Sequence, residues 1–218
     1  MSPEAAASAA IRSPEPLVLG FLASHGGSNL LAILHGIRAG EVPARPGVVI
    51  SNNSDAGALE HARRFGVPGR HLSAHTHPHP DALDRAILDA LRTHGVTLVV
   101  LAGYMRKLGP QVLQAYAGRI VNIHPALLPA FGGQGMFGLR VHEAVLAAGV
   151  TESGCTVHLV TAEYDQGPIL AQARVPVRPG DTPETLQARV LEQEHRLYPD
   201  ALRRIATGEL VLAFRAPA

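Results

Sequence analysis

The chain has 218 residues, 46% of them hydrophobic, and a formal net charge of +1. That is apolar material for one large or two small compact domains, and a charge so near zero gives no general attraction to nucleic acid or an acidic membrane. A single cysteine, Cys155, leaves no internal disulfide and fits a reducing cytoplasm, and no apolar run approaches the length of a membrane span.

Residues 1–16 are rich in Ala, Ser, Pro and Glu. They lack a basic stretch ahead of an apolar core, so they read as a disordered leader rather than a signal peptide. Leu17–Ala23 (LVLGFLA) is a first strand that ends in Ser24-His25-Gly26-Gly27-Ser28-Asn29. A helix follows, with Leu30, Ile33, Leu34 and Ile37 on one face, Ser28 as its N-cap and Gly40 as its stop. Gly47–Ser51 is a second strand, Ala56–Phe65 a second helix, and a short strand lies near His71-Leu72. Asp81–His94 is helical, and Thr97–Ala102 (TLVVLA) is a continuous apolar run of the kind buried on both faces. Arg119–Ile123 is a strand, Val141–Ala148 a helix, and Thr156–Val160 and Ile169–Val177 are strands. Pro183–Thr207 is a long helical region and Leu210–Phe214 a last strand. This alternation predicts an α/β fold with a doubly wound, mostly parallel sheet and an antiparallel C-terminal extension.

Two stretches carry chemistry. The first is the glycine pair after strand one. Free N–H groups and the helix dipole favour a phosphate there, against the plainer reading of a tight turn without ligand. G-x-G-x-x-G and G-x-x-x-x-G-K-[ST] are both absent, which disfavours a dinucleotide and a nucleoside triphosphatase. The second is Val121–Gly133 (VNIHPALLPAFGG). Residues two apart on a strand face one side, so Asn122 and His124 point together, and Pro125 forces the chain out of the sheet. Open α/β sheets bind ligands at such carboxyl ends. Alone, the two residues also read as a satisfied polar pair. The loop Thr161–Pro168 adds Asp165, a carboxylate able to raise an imidazole pKa. An Asn amide beside a His cation makes two donors for a developing oxyanion. G-x-S-x-G is absent and Cys155 sits in a strand-like segment suited to core packing. The nucleophile then comes from the substrate, such as an amine.

Ser24–Asn29 (SHGGSN), Leu101–Leu108 (LAGYMRKL), Asn122–Pro129 (NIHPALLP), His158–Gly167 (HLVTAEYDQG) and Gln193–Pro199 (QEHRLYP) occur in an order and spacing that resemble the phosphoribosylglycinamide formyltransferases, folate-dependent enzymes of purine synthesis. The resemblance covers about residues 17–212. It implies a single formyltransferase domain over 17–218, Rossmann-like and phosphate-binding to about 120, catalytic and folate-binding from about 121. It implies His124 as catalytic imidazole, Asn122 as oxyanion partner and Asp165 as the acid that raises the histidine's pKa. Gly26, Gly27, Ser28 and Asn29 resemble the substrate phosphate loop, flanked by Pro125 on the substrate side, and Glu194 resembles the carboxylate on the ribose hydroxyls. Met105, Arg106, Lys107 and Leu108 resemble the folate wall, with Asn122, Thr161, Ala162 and Asp165 also on the folate. By themselves Arg106 and Lys107 read as solvated surface charges. The co-substrate implied is 10-formyltetrahydrofolate, with no metal. The partners implied are glycinamide ribonucleotide and folate, with no nucleic acid or membrane, in a cytoplasmic monomer or homodimer.

Three features depart from the family pattern. His25 stands where a glycine is common, His77-Pro78-His79-Pro80 where an arginine often holds the folate tail, and Phe131–Leu139 resembles a longer-loop subgroup. His75, His77 and His79 read as a solvated loop rather than a metal tract. His142 and His158 stay unassigned between lining the site and supporting it. Relatives that formylate a tRNA carry an added basic C-terminal domain, and those that hydrolyse formyl-folate a regulatory domain before the first strand. The sequence in hand is expected to have neither. A non-catalytic sugar-phosphate binder would be expected to lose Asn122, His124 or Asp165.

Overall fold

The computed structural model describes residues 16–212, so the expected leader, apart from Pro16, lies outside the described residues. The elements run β1 (Leu17–Ala23), α1 (Ser28–Arg38), β2 (Ala44–Ser51), α2 (Gly57–Arg64), β3 (Gly69–His71), α3 (Pro80–Thr93), β4 (Leu98–Leu101), α4 (Pro110–Ala115), β5 (Ile120–His124), α5 (Leu139–Ala147), β6 (Glu152–Leu159), β7 (Ile169–Pro176) and α6 (Pro183–Ala206). The strands form one seven-stranded sheet in the order β3-β2-β1-β4-β5-β6-β7. The first five are parallel, and β6 and β7 are antiparallel.

Strand alternation divides the core. Leu19, Phe21 and Ala23 of β1 and Leu98 and Val100 of β4 face a layer that includes α1 and α6. Leu22, Val99 and Leu101 face the opposite layer, with Ile87, Leu88 and Leu91 of α3 and Val112 of α4. Cys155 is buried in the first layer, and burial raises its thiol to about 12, so it is an inert core group. The 24-residue α6 starts at a reciprocal cap between Thr182 and Thr185. It is tied to the sheet by the buried Tyr198 hydroxyl, 3.0 and 3.1 Å from the carbonyl oxygens of Leu101 and Val121. That bond sets α6 beside the carboxyl ends of β4 and β5, where it delivers Glu194.

Three expectations are corrected, and one helix stands where none was expected. Ser28 is the first residue of α1 rather than its cap; Gly27 caps it in the left-handed region at φ 72°, with no side-chain bond, a conformation open to glycine at little strain. β6 begins at Glu152, not Thr156. Its early part is Ser153 and Gly154, without the apolar alternation that marks a strand, and Gly154 is required because a Cβ would stand 2.0 Å from the Ala173 carbonyl oxygen. The six-residue α4 had no sequence signal, because its cap is long-range: the Asp84 carboxylate of α3 accepts from the N–H groups of Gln111 and Val112 at 2.7 and 3.2 Å. Finally, 210–212 are not strand, and the rest of the segment expected over Leu210–Phe214 lies outside the described residues.

Candidate active site

Asn122 and His124 lie at the carboxyl end of β5 and pair in register with His158 and Thr156 of β6. His124 is 4% exposed. Its Nε2 donates to the Phe131 carbonyl at 2.8 Å, so that nitrogen carries the proton in the neutral ring. Nδ1 is left facing Asp165 Oδ2 at 3.6 Å. The turn that removes the chain from the sheet is pinned by Thr156, whose hydroxyl donates to Ala126 and accepts from the Leu128 N–H. His158 donates from Nδ1 to the Leu159 carbonyl at 2.9 Å. Its Nε2 lone pair is then free to accept from the Asn122 amide at 3.1 Å, which orients that amide and leaves its second hydrogen for a ligand.

Asp165 joins this group from the β6–β7 loop, with a backbone φ of 55°, a left-handed conformation that Asp tolerates better than most residues. Its carboxylate accepts from the Gly133 N–H at 2.9 Å and lies 3.5 Å from His158 Nε2. Burial is the largest influence on the Asp165 pKa and raises it, but the imidazole of His158, the Gly133 N–H and the imidazole of His124 together outweigh it and hold it below the ordinary value. The charge balance at His124 has opposed contributions. Burial lowers its pKa most; Asp165 and the Phe131 carbonyl push it up, His158 down, and the net value stays below 6.5. Asp165 therefore supports the imidazolium without making it the resting form. His142, 1% exposed, is pushed to about 4 by burial and by His124.

The second cluster sits at the start of α1. The first-turn amides have no intrahelical acceptor, no side chain caps them and no acid lies in that turn, an arrangement that suits an anion. Asn29 lines the cleft with its side-chain amide turned toward α6. Its Nδ2 donates to Glu194 Oε2 at 2.6 Å. Glu194 is 7% exposed, and its burial, only partly offset by the Asn29 bond, raises its pKa to about 7.

One cleft of about 760 Å³ brings these groups together. Gly26, Gly27, Ser28, Asn29, Pro125 and Glu194 line one part, and Met105, Arg106, Lys107, Leu108, Thr161 and Ala162 another, with Asn122, His124 and Asp165 also on its wall. Met105 is 44% exposed, and the Lys107 ammonium lies 5.3 Å over the Tyr164 ring. His142, His158 and residues 133–138 line the cleft as well. The parts that sequence reasoning missed are mostly backbone: the Phe131 carbonyl and the Gly133 amide have no signature in residue type. His75, His77 and His79 lie on or near the loop before α3. Among the described residues no group of three or more His, Cys, Asp or Glu side chains is placed to hold a metal, and no helix is long and apolar enough to cross a membrane.

Residues 19–202 match the formyl transferase family. The chain is 40% identical over 189 residues to a phosphoribosylglycinamide formyltransferase of Escherichia coli, covering 87% of each. It belongs to the phosphoribosylglycinamide formyltransferase family. A chloroplastic phosphoribosylglycinamide formyltransferase from Arabidopsis thaliana is 43% identical to it; the match covers 88% of this chain and 66% of the relative, so this chain spans just under two thirds of that longer protein. Its fold superimposes on a glycinamide ribonucleotide transformylase from Symbiobacterium toebii with a TM-score of 0.86 at 48% identity, covering 93% of both chains.

Proposed function

We propose that this chain transfers the formyl group of 10-formyltetrahydrofolate to the amine of 5-phosphoribosylglycinamide, in purine synthesis. The observation that carries the reading is the convergence in one cleft of an uncapped helix start, a buried carboxylate suited to ribose hydroxyls, and Asn122, His124 and Asp165 on the wall between them and a half-apolar, basic mouth. The folate side fits its ligand: exposed Met105 gives an apolar surface for a flat ring, and exposed Arg106 and Lys107 suit the carboxylates of a glutamate tail. When bound, the folate supplies an activated formyl carbon.

The residues then have defined tasks. The first-turn amides of α1 hold the phosphate, and Glu194 accepts from the ribose hydroxyls. This fixes the free amine against the formyl carbon, and proximity supplies much of the acceleration. As the new C–N bond forms, negative charge develops on the formyl oxygen. Asn122 donates its free amide hydrogen to it. His124, neutral at rest, takes the attacking amine's proton on Nδ1 as that charge grows and becomes a cation held by the Phe131 carbonyl on one side and Asp165 on the other. Asp165 helps carry a proton from the attacking nitrogen toward the departing folate nitrogen, so that the old C–N bond breaks with a neutral leaving group. No metal enters the reading. It describes a cytoplasmic enzyme of two small molecules, a monomer or homodimer, with neither nucleic acid nor membrane as partner.

The test is a spectrophotometric assay with purified protein, the formyl-folate and glycinamide ribonucleotide. Deformylation of the folate that depends on the amine is expected. Equal loss without the amine means hydrolysis, and no loss from folded, ligand-binding protein means a different acceptor or a binding protein.

A further inference from the structure

Beside the catalytic cleft lies a second cavity of about 870 Å³, walled by the carboxyl ends of β1, β2 and β3 and by α3. The two spaces share His25, Gly26 and the segment Tyr104–Lys107 in part. Ser24 lines the second cavity and is 1% exposed. It follows β1, with His25 between it and the phosphate loop, and its polar atoms reach the segments that follow β2 and β4. Its backbone N–H donates to the Gly103 carbonyl at 2.9 Å. Its hydroxyl accepts from the Met105 N–H at 2.7 Å and donates to Asn52 Oδ1 at 2.6 Å. Its carbonyl accepts from Asn53 Nδ2, and the Asn53 backbone N–H is in turn held by Ser51 Oγ at 3.1 Å.

A hydroxyl is the smallest side-chain group that donates once and still accepts, so one atom serves Met105 and Asn52 together. Met105 opens the wall assigned to the folate. The phosphate loop keeps other anchors: the Leu31 N–H on Gly27 O, the Ala58 N–H on His25 O, and the Ser24 backbone bond to Gly103. Loss of the Ser24 hydroxyl therefore acts on the folate side first.

We propose that Ser24 is a positioning residue for the formyl donor. Its hydroxyl fixes the backbone at Met105, and with it the 105–108 wall, relative to the phosphate loop. The inference rests on the formyl-transfer reading but concerns a residue that touches neither reactant.

The test compares Ser24→Ala with Ser24→Thr, whose added methyl has the second cavity to enter. Steady-state kinetics give KM for each reactant, and a fluorescence titration with tetrahydrofolate gives donor-side affinity without turnover. Ser24→Ala leaves the Met105 N–H unpaired, and the expected loss in folate affinity and rise in folate KM are about tenfold. KM for the phosphorylated amine stays within about twofold, and Ser24→Thr recovers most of the loss. Asn52→Ala, which keeps the Met105 bond, has a smaller effect than Ser24→Ala. If Ser24→Ala does not fold, Ser24→Cys, with its weaker donor and acceptor, takes its place. Unchanged tetrahydrofolate binding in a folded Ala or Cys variant overturns the proposal, and so does equal damage from Thr and Ala, which would make the position one of packing. Because the titration needs no turnover, failure of formyl transfer in the unaltered protein would refute the functional reading while the role of Ser24 is still decided.

Discussion

Replacing Glu194 by Gln isolates one titration in the site. Glu194 is buried against Asn29, and burial carries its pKa from 4.5 to about 7. The folded state thus holds its proton more tightly than the unfolded chain. The sign follows: this group stabilises the fold below pH 4.5, and the contribution is lost as pH rises through 7. Between pH 5 and pH 9 the difference is about 2–3 kcal/mol, or about 5–10 °C in Tm for a chain of this size. Glu194→Gln removes the titration and keeps an acceptor for Asn29. Calorimetry at the two pH values should show the variant gaining on the wild type by that amount at pH 9. The same proton controls binding. At pH 8 about nine-tenths of the protein carries the carboxylate and at pH 6 about one-tenth. The ratio of the variant's KM for the phosphorylated amine to that of the wild type cancels the substrate's own ionisation. That ratio should be about tenfold or more at pH 8, the scale of losing bonds to a charged acceptor, and should shrink about tenfold by pH 6. Parallel stability curves and a ratio that does not change with pH would refute the reasoning.

Three further substitutions test the catalytic wall. His124→Ala is expected to lower kcat at least about a hundredfold, the scale of losing electrostatic stabilisation of an oxyanion; near-normal turnover by a folded variant would remove His124 from its role. His158→Ala takes the acceptor from the Asn122 amide, and kcat should fall up to about tenfold with folate KM little changed; a rise in KM alone would place His158 in binding. Asp165→Asn keeps a residue suited to its left-handed backbone but removes the charge that supports the imidazolium. Turnover should fall by about tenfold or more, while Asp165→Ala should also lose about 1 kcal/mol of stability; equal stability of the two in thermal melts would contradict the backbone argument.

The parallel half of the fold was legible because its strands are buried on both faces. LVVL in β4 and the apolar run of β1 cannot be placed elsewhere, and the glycine pair between β1 and α1 marks the turn. The start of β6 and the whole of α4 were not legible, because their determinants lie far off in sequence: Ala173 crowding Gly154, and Asp84 capping α4. The cleft shows the same division. Asn122 and His124 follow from strand period, whereas Glu194 follows only from the family resemblance carried by the Gln-Glu-His segment. The lowered pKa of His124 follows from neither, since a sequence shows a carboxylate such as Asp165 but not the depth at which the imidazole is buried. The hydroxyl of Thr156 and the amide of Gly133, which fix the turn and the acid, appear only once β6 and the 131–138 loop are brought together.

The central claim is direct transfer between two reactants held in one cleft. It is tested most directly by a single turnover with 10-formyltetrahydrofolate carrying a carbon-13 label on the formyl group, followed by mass spectrometry of both products. The account predicts that the label appears on the glycinamide nitrogen, with little free labelled formate, and that Asn122→Ala and His124→Ala slow its appearance without diverting it. Label released chiefly as formate, or transferred equally well by the doubly substituted protein, would contradict it.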